Sequence, residues 1–240
     1  LEVANLLGYE TWADYVLEEN MAKSRTAALT FLNELMDKSL PFGRRDVEAV
    51  RTYALANGFE GDELMAWDFS FWAERYKESE YALNEEKLKP YFRLENCIDA
   101  VFGLATKLYG ITFEPRMDIP VYHKDVKVYD VKDQDGRHLA LFYADFFPRP
   151  TKRGGAWMTE FRGQCIRNGV EERPFISIVT NFTKPTGSTP SLITHDELTT
   201  LLHEFGHSLH GMLAEGRYPS LCGTNVARDF VELPSQIMEN

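Results

Sequence analysis

The feature that most constrains this chain is a pair of histidines four residues apart, inside a segment with strong helix signals. His203 and His207 enclose Glu204 in the pattern H-E-x-x-H, within the run LLHEFGHSLH. Residues four apart share one face of an α-helix and lie about 6 Å apart along its axis, so two imidazoles at this spacing can bind one ion. Glu204 lies about 60° round the helix from His207, where its carboxylate can reach a water on that ion. The pattern predicts a helix that binds Zn²⁺ through two histidines, with Glu204 as general base.

The helix itself is well specified by the flanking sequence. Thr194 as N-cap and Glu197 three residues later form a capping box, and Gly216 followed by Pro219 marks the end, so we predict a helix over 195–213. The alternative is that two surface histidines stand beside a solvated glutamate, because H-E-x-x-H also arises by chance. Apolar residues at helical spacing predict a buried stripe, formed by Leu198, Leu201, Leu202, Phe205, Leu209 and Met212.

Length and charge restrict the class of protein. The chain has 240 residues, of which 44% are apolar, which is enough for one large domain or two small ones. Its formal net charge of −11 argues against a nucleic acid or an anionic membrane as partner, since both need a basic face. No apolar run approaches the roughly 18 residues of a transmembrane helix, and the acidic, amphipathic N-terminus does not resemble a signal peptide.

The cysteines indicate a reducing environment. Cys97, Cys165 and Cys222 are odd in number and widely spaced, without a C-x-x-C pair. This pattern argues against a disulfide framework and against a thiolate zinc site. We therefore expect free thiols and a cytoplasmic location.

Residues 1–115 are expected to form an almost wholly helical region. Pro41 with the following Phe-Gly predicts a break, and Asn57-Gly58 predicts the end of a helix. The aromatic residues around Trp72 are expected in a core rather than at a ligand site. The expected helices are two within 1–39 and one each over 46–57, 62–77 and 93–109.

Residues 116–240 are expected to combine a small sheet with the zinc-binding helices. The runs 126–131 and 138–146, joined by the turn signal Asp135-Gly136, predict a β-hairpin. The fold class is therefore mainly α with a small β-sheet. Both ends of the chain fall inside helical patterns, so we expect a segment of a larger catalytic domain, truncated at both ends.

Two features before the zinc helix have open interpretations. The loop 149–157 is basic and rich in glycine, so it can meet an anionic group of a substrate or be an ordinary solvated turn. The strand predicted over 175–181 can offer a free edge to an extended peptide, by β-augmentation, or lie inside the sheet.

A catalytic zinc site needs a third protein ligand and keeps a fourth position for water. The extended pattern H-E-x-x-H-x-x-G-x-x-H is excluded because Leu213 stands at its last position. His210 lies about 10 Å along the helix axis from His203 and cannot share the ion. A carboxylate from a following helix remains, and we predict that helix over 226–240 with a kink at Pro234. Spacing alone leaves three acids open, Asp229, Glu232 and Glu239.

A resemblance bears on this choice. The run GTNVARDFVELPSQ, residues 223–236, resembles the thimet oligopeptidase family of zinc metallopeptidases, and most of all its peptidyl-dipeptidase (dipeptidyl carboxypeptidase) branch. In that family the glutamate of this run is the third zinc ligand, which implies this role for Glu232. The resemblance also implies that Glu239 orients a ligand histidine, and Asp229 is the other candidate for such a contact. Further similar segments follow in order at 1–35, 89–113, 151–158 and 181–185.

The resemblance implies a zincin-like fold within a helical ellipsoid that is split by a deep channel and admits short, unfolded peptides. It implies one Zn²⁺ per chain, and we expect a monomer. Members of the family are considerably longer than 240 residues. Their tyrosine and histidine side chains that bind the oxyanion and the substrate are expected outside this chain.

Four functional hypotheses follow. The first is a zinc peptidase that releases C-terminal dipeptides from short peptides, and the second is an endo-oligopeptidase with the same metal site. The third is a zinc-binding fragment of such an enzyme that is inert by itself. The fourth is a helical interaction module with accidental histidines, which would bind no zinc.

Overall fold

The computed structural model describes residues 1–82 and 84–240. They form two compact units, Leu1–Lys87 and Leu88–Asn240. The division falls earlier than the expected boundary at residue 115, because the helix over Leu94–Tyr109 packs its apolar face into the core of the second unit. Among the described residues, no helix combines the length and the apolar character that crossing a bilayer requires.

The first unit is helical. Its helices are α1 (Glu2–Leu6), α2 (Trp12–Leu17), α3 (Arg25–Ala56) and α4 (Ala66–Tyr81), and α5 (Glu85–Leu88) follows at the boundary between the units. The first of the two helices expected in 1–39 is in fact two short ones, because Gly8 adopts a φ of +90° and ends α1. A new helix then begins at the capping box of Thr11 and Asp14, as α2.

The break predicted at Pro41 is wrong. α3 runs through Pro41 as one helix of 32 residues. A proline removes one backbone hydrogen bond, and this helix continues because it is long enough to keep its bonds on both sides. Ser24 caps its start, and the end signal near Asn57 holds, since α3 stops at Ala56 and Gly58 has a φ of +98°.

The aromatic residues of α4 divide between core and surface. Trp72 is 8% exposed and packs with Tyr53 and Phe59. Trp67 and Phe71 are 74% and 54% exposed. The expectation of a core position therefore holds for Trp72 and fails for the other two.

The second unit is built on a five-stranded sheet. Its chain forms the strands β1 (Thr112–Arg116), β2 (Lys127–Lys132), β3 (His138–Asp145), β4 (Trp157–Arg162), β5 (Cys165–Arg167), β6 (Val170–Glu172) and β7 (Phe175–Val179). The large sheet has the order β1-β2-β3-β7-β4, and β5 and β6 form a separate pair. The predicted hairpin is confirmed, since β2 and β3 pair antiparallel and Gly136 turns with a φ of +79°. The sequence did not predict β1, β4, β5 or β6.

The strand that precedes the zinc helix lies inside the sheet. β7 is parallel to β3 on one side and antiparallel to β4 on the other. A strand covered on both faces and both edges has a nearly continuous apolar sequence, and Ile176, Ile178 and Val179 are all at most 6% exposed. The free edge considered at 175–181 therefore does not exist, and the edge on this side of the sheet belongs to β4.

Three helices complete the second unit, α6 (Leu94–Tyr109), α7 (His195–Met212) and α8 (Leu233–Met238). α6 and α7 pack on the same face of the sheet, where Phe102 and Phe205 both contact Phe142 with ring centroids about 6 Å apart. α6 ends at Gly110 in the left-handed conformation, as expected. The three cysteines are free and buried.

The long helix predicted over 226–240 is wrong. Residues 226–232 form turns, with the Phe230 N–H donating to the Ala227 carbonyl, and the short α8 begins only at Leu233. Pro234 lies in the first turn of α8 and does not kink a helix. A proline is tolerated there because the N–H groups of a first turn have no partner within the helix.

The basic loop after β3 is bound to the sheet. Arg149 donates two hydrogen bonds of 2.9 Å to the Asp145 carboxylate, and Lys152 Nζ donates to the same carboxylate at 3.0 Å. Asp145 and Lys152 side chains are 1% and 2% exposed. These two cations therefore compensate the buried charge of Asp145.

Candidate metal centre

The two histidines of the H-E-x-x-H pattern are held on a well-capped helix. Thr194 Oγ1 accepts a hydrogen bond from the Glu197 N–H at 3.1 Å, and Glu197 Oε2 accepts one from the Thr194 N–H at 2.8 Å. The predicted capping box and the helix from residue 195 are thus confirmed. His203 and His207 lie on one face of α7 with ring centroids 4.9 Å apart.

Glu232 meets both imidazoles. Its Oε2 lies 3.0 Å from His207 Nε2 and 3.3 Å from His203 Nε2. Among the described residues, these three side chains form the one group whose ligand atoms are close enough together to hold a metal ion. They come from α7 and from the N-cap position of α8, so the packing of α8 on α7 brings the group together.

The geometry fits Zn²⁺. Ligand atoms about 2.0–2.1 Å from a tetrahedral ion stand about 3.3 Å apart, which is close to the spacing between Glu232 Oε2 and the two Nε2 atoms. Two imidazoles and one carboxylate are also the donor set of catalytic zinc sites that keep an open position.

Neighbouring side chains hold the ligand atoms in this arrangement. Glu239 Oε1 lies 2.5 Å from Nδ1 of His203, which leaves Nε2 of that ring free to face the metal. Ser235 Oγ lies 2.9 Å from Oε2 of Glu232 and is fully buried. Burial raises the pKa of the Glu232 carboxyl, but the hydrogen bond from Ser235 and the two histidines lower it more, so it lies below its usual range.

His207 is suited to bind a metal as a neutral imidazole. Burial lowers its pKa, and the charge of Glu232 offsets this only in part. Its Nδ1 is buried and has no hydrogen-bond partner among the described residues. Its Nε2 points at Glu232.

Glu204 lies beside the group without belonging to it. Its side chain is buried, at 8% exposed, and lines the same cavity as the two histidines and Glu232. Burial raises the pKa of its carboxyl, His203 lowers it, and Glu232 raises it, with a net increase. The backbone of Met158, which lines the same cavity, lowers this pKa in part.

The cavity at the group has a volume of about 270 Å³ and two walls. Ala156, Trp157 and Met158 at the start of β4 form one wall, and Thr224, Arg228 and Val231 of the turn segment form the other. The sequence considered the loop 149–157, which includes Ala156 and Trp157, only as a contact for an anionic group, and it did not identify Met158, Arg228 or Val231 as part of the site. The sequence of β4 has no alternation of apolar and polar residues that marks it as an edge strand. Thr224 was recognised only as a candidate helix cap.

Two further candidates lie apart from the group. Asp229 is exposed in the turn before Glu232 and is outside the group of three. His210 also lies outside it, as its distance along the helix requires, and its ring centroid is 6.3 Å from that of Phe230. The structure therefore brings together His203, His207 and Glu232, with Glu204 and Glu239 beside them.

Known proteins show sequence similarity to the whole of this chain. The model of peptidase family M3 matches residues 1–240. Dipeptidyl carboxypeptidase of Salmonella typhimurium is 46% identical over 241 residues, which cover 99% of this chain and 35% of that protein. Oligopeptidase A of Escherichia coli is 38% identical over 241 residues, covering 100% of this chain and 35% of that protein. The chain thus spans about a third of the length of these relatives.

Proposed function

This chain belongs to peptidase family M3, and from that premise we propose that it carries the zinc-dependent catalytic centre of an enzyme that hydrolyses short peptides. The observation that carries the proposal is the convergence of two imidazoles and a carboxylate on one point, with the buried Glu204 beside them. A zincin-like fold inside a channelled helical ellipsoid is part of the proposal, and family membership supports it.

His203, His207 and Glu232 would hold one Zn²⁺ per chain. When bound, the ion would supply Lewis-acid chemistry, polarising the scissile carbonyl and making a water acidic enough to lose a proton near neutral pH. Glu239 would fix the ring of His203 through Nδ1, and Ser235 would hold the carboxylate of Glu232.

Glu204 would move the proton. As general base it takes a proton from the attacking water while the water oxygen bonds to the scissile carbonyl carbon. It then gives that proton to the amine as the carbon–nitrogen bond breaks, so no residue of the chain forms a covalent intermediate. A carboxyl whose pKa is raised by burial is suited to both steps, because it accepts and returns the proton at similar cost.

A peptide substrate would lie along the free edge of β4. This edge strand forms one wall of the cavity that the metal ligands and Glu204 also line. An extended peptide can add to such an edge through main-chain hydrogen bonds, which would bring a peptide bond next to the metal ligands. The edge of β4 thus takes the role that the sequence had suggested for residues 175–181.

Release of C-terminal dipeptides is the preferred form of the activity, and endo-oligopeptidase action is the alternative. Two dipeptidyl carboxypeptidases are 46% and 42% identical to this chain, and an organellar oligopeptidase A of Arabidopsis thaliana is also 42% identical. A peptide with an amidated C-terminus separates the two activities. An enzyme that releases dipeptides should leave it uncut, whereas an endo-oligopeptidase should cut it, as product masses will show.

A second candidate is that these 240 residues bind zinc but do not turn over by themselves. The chain spans about a third of the length of its relatives, which favours this possibility. Peptide hydrolysis should therefore be measured on the chain and on the complete gene product. The cytoplasmic location and the monomeric state expected from the sequence stay predictions.

Metal content tests the proposed function first. We expect about one zinc per chain by elemental analysis, and a loss of that zinc in His203→Ala. A matched control is His195→Ala, since His195 lies at the start of the same helix and is well exposed. A chain that is folded and binds no zinc would contradict the proposal, and zinc that persists in His203→Ala would contradict the ligand assignment.

A further inference from the structure

Glu160 on β4 carries a carboxylate that the proposed reaction does not use. It lies on the side of β4 that faces α7, in a space bounded by glycines. A Cβ built on Gly223 would lie 2.5 Å from Glu160 Oε1, and one on Gly211 would lie 3.2 Å from the same atom. A Cβ on Gly163 would lie 3.2 Å from Oε2. The carboxylate therefore occupies a space that side chains at these three positions would fill.

The carboxylate packs against the backbone at Gly223, the residue before Thr224. The backbone N–H and the hydroxyl of Thr224 both favour the ionised form of Glu160. Burial raises the pKa of the Glu160 carboxyl, and Thr224 lowers it only in part. A carboxylate that is partly removed from water is stabilised by nearby N–H and O–H groups, so Glu160 favours a position of Thr224 beside it.

Thr224 begins the segment that carries the third ligand. The chain from Gly223 to Glu232 forms turns, with neither helix nor strand. Its far end is held where α8 packs on α7 and where Ser235 Oγ contacts Glu232. Its near end lies against the Glu160 carboxylate at Gly223, and Thr224 and Glu232 line the same cavity.

We propose that Glu160 is a positioning residue for the metal centre. By binding Thr224, it attaches the segment that carries Glu232 to β4 and α7, and so holds the Glu232 carboxylate at the two histidines. The inference rests on the proposed function, because it assigns Glu160 a role in the same metal site. It adds a contact 72 residues away from Glu232 in sequence to the interactions that set metal affinity.

The test measures metal binding by Glu160→Ala, Glu160→Gln and Thr224→Val. The affinity for Zn²⁺ is measured by competition with a chelator, and the ligand set is read from the visible absorption of the Co²⁺-loaded chain. We expect Glu160→Ala to weaken Zn²⁺ binding 10- to 100-fold and to change the Co²⁺ spectrum, because the Glu232 carboxylate leaves its place. Glu160→Gln keeps the shape of the side chain and one acceptor oxygen for Thr224. Its affinity for Zn²⁺ should therefore lie between those of the wild type and Glu160→Ala. Thr224→Val keeps the backbone N–H donor, so its affinity for Zn²⁺ should fall only several-fold.

The matched control is Glu114→Ala, which removes a carboxylate from the opposite edge strand, where it pairs with Lys132. Its affinity and spectrum should equal those of the wild type. A folded Glu160→Ala with wild-type affinity and an unchanged Co²⁺ spectrum would overturn the inference while leaving the proposed function intact. If Glu160→Ala fails to fold, Thr224→Val decides. Zn²⁺ affinity equal to that of the wild type would overturn the inference, and weaker Zn²⁺ binding would support it. Absence of zinc from the wild type would instead overturn the proposed function itself, and this inference with it.

Discussion

Gly206 lies directly against the backbone of Ser235. A Cβ built on residue 206 would be 2.6 Å from the Cα of Ser235 and 2.6 Å from the carbonyl oxygen of Pro234. Real Cβ atoms do not approach backbone atoms this closely. The glycine inside the H-E-x-x-H pattern therefore lets α8 approach α7, and that approach carries Glu232 to the histidines.

Gly206→Ala should disrupt this contact. The new methyl meets backbone atoms that cannot rotate away, so α8 must move and take Glu232 and Glu239 with it. We expect a loss of about 1–3 kcal/mol in the free energy of unfolding, as for other overpacked positions, and weaker Zn²⁺ binding. Chemical denaturation and chelator competition measure the two effects.

Gly103→Ala is the control for the change of residue type. Gly103 lies inside α6, where a Cβ would meet no atom within 4 Å. Alanine has the higher helix propensity, so this variant should be as stable as the wild type or more stable by up to about 1 kcal/mol. Equal behaviour of the two alanine variants would mean that the approach of α8 to α7 does not depend on Gly206.

Glu204→Gln should separate metal binding from turnover. The amide cannot accept a proton from water, whereas the three metal ligands are unchanged. We expect zinc content like that of the wild type and a fall in kcat of about 10²- to 10⁴-fold in whichever form of the protein is active. Glu215→Gln, at an exposed position after α7, should leave both quantities unchanged. Near-normal activity of Glu204→Gln would show that another group takes the proton.

Ser235→Ala should weaken zinc binding without a large loss of stability. Ser235 Oγ lies 2.9 Å from Oε2 of Glu232, so its removal frees the carboxylate to turn away. Loss of such a supporting contact commonly weakens metal binding by 10-fold or more. Ser191→Ala is the matched control, because Ser191 is equally buried but donates to the backbone carbonyl of Thr183. If both serine variants bind zinc like the wild type, the hydroxyl does not orient Glu232.

Asp145 should make the stability of the second unit depend on pH. Burial raises the pKa of its carboxyl, but hydrogen bonds from Arg149 and Lys152 lower it more, so its pKa in the folded chain is below the unfolded value of about 4. The ionised form thus contributes stability above about pH 4, and this contribution is lost as the pH falls through the folded-state pKa. Unfolding followed by circular dichroism across this range measures it.

Asp145→Asn should remove that pH dependence. The change leaves Lys152 buried without its countercharge, so we expect a loss of about 3–5 kcal/mol at neutral pH and a smaller fall in stability on acidification. The control is Asp118→Asn, which breaks an exposed pair with Arg116 and should change stability little. If Asp145→Asn is as stable as the wild type at pH 7, the ion pairs of Asp145 make no net contribution to the free energy of unfolding.

Local signals predicted the helix that carries the histidines well. The capping box of Thr194 and Glu197 and the apolar stripe lie within a few turns of each other, so no distant contact is needed to specify α7. Local signals failed at Pro41, where the break did not occur, and at Pro234, where a helix starts rather than bends. A proline restricts the backbone at its own position, but the residue alone does not say whether a helix passes it, as at Pro41, or begins there, as at Pro234.

In the sheet, too, local signals predicted only the contacts between neighbouring segments. The β2–β3 hairpin was predictable because its strands are neighbours joined by a short turn. The position of β4 at the edge was not, because it follows from the pairing of β7 with both β3 and β4. The contact between Glu160 and Gly223 was hidden for the same reason, since the two residues are distant in sequence.

The sequence by itself determined the relative positions of His203, Glu204 and His207, because one turn of a capped α-helix fixes them. It left three acids open as the third ligand, and only the resemblance of residues 223–236 pointed to Glu232. The tertiary structure decided which acids reach the histidines, since Gly206 allows α8 to approach and Pro234 starts that helix just after Glu232. That choice depends on contacts between segments that are far apart in the chain, which no local pattern encodes.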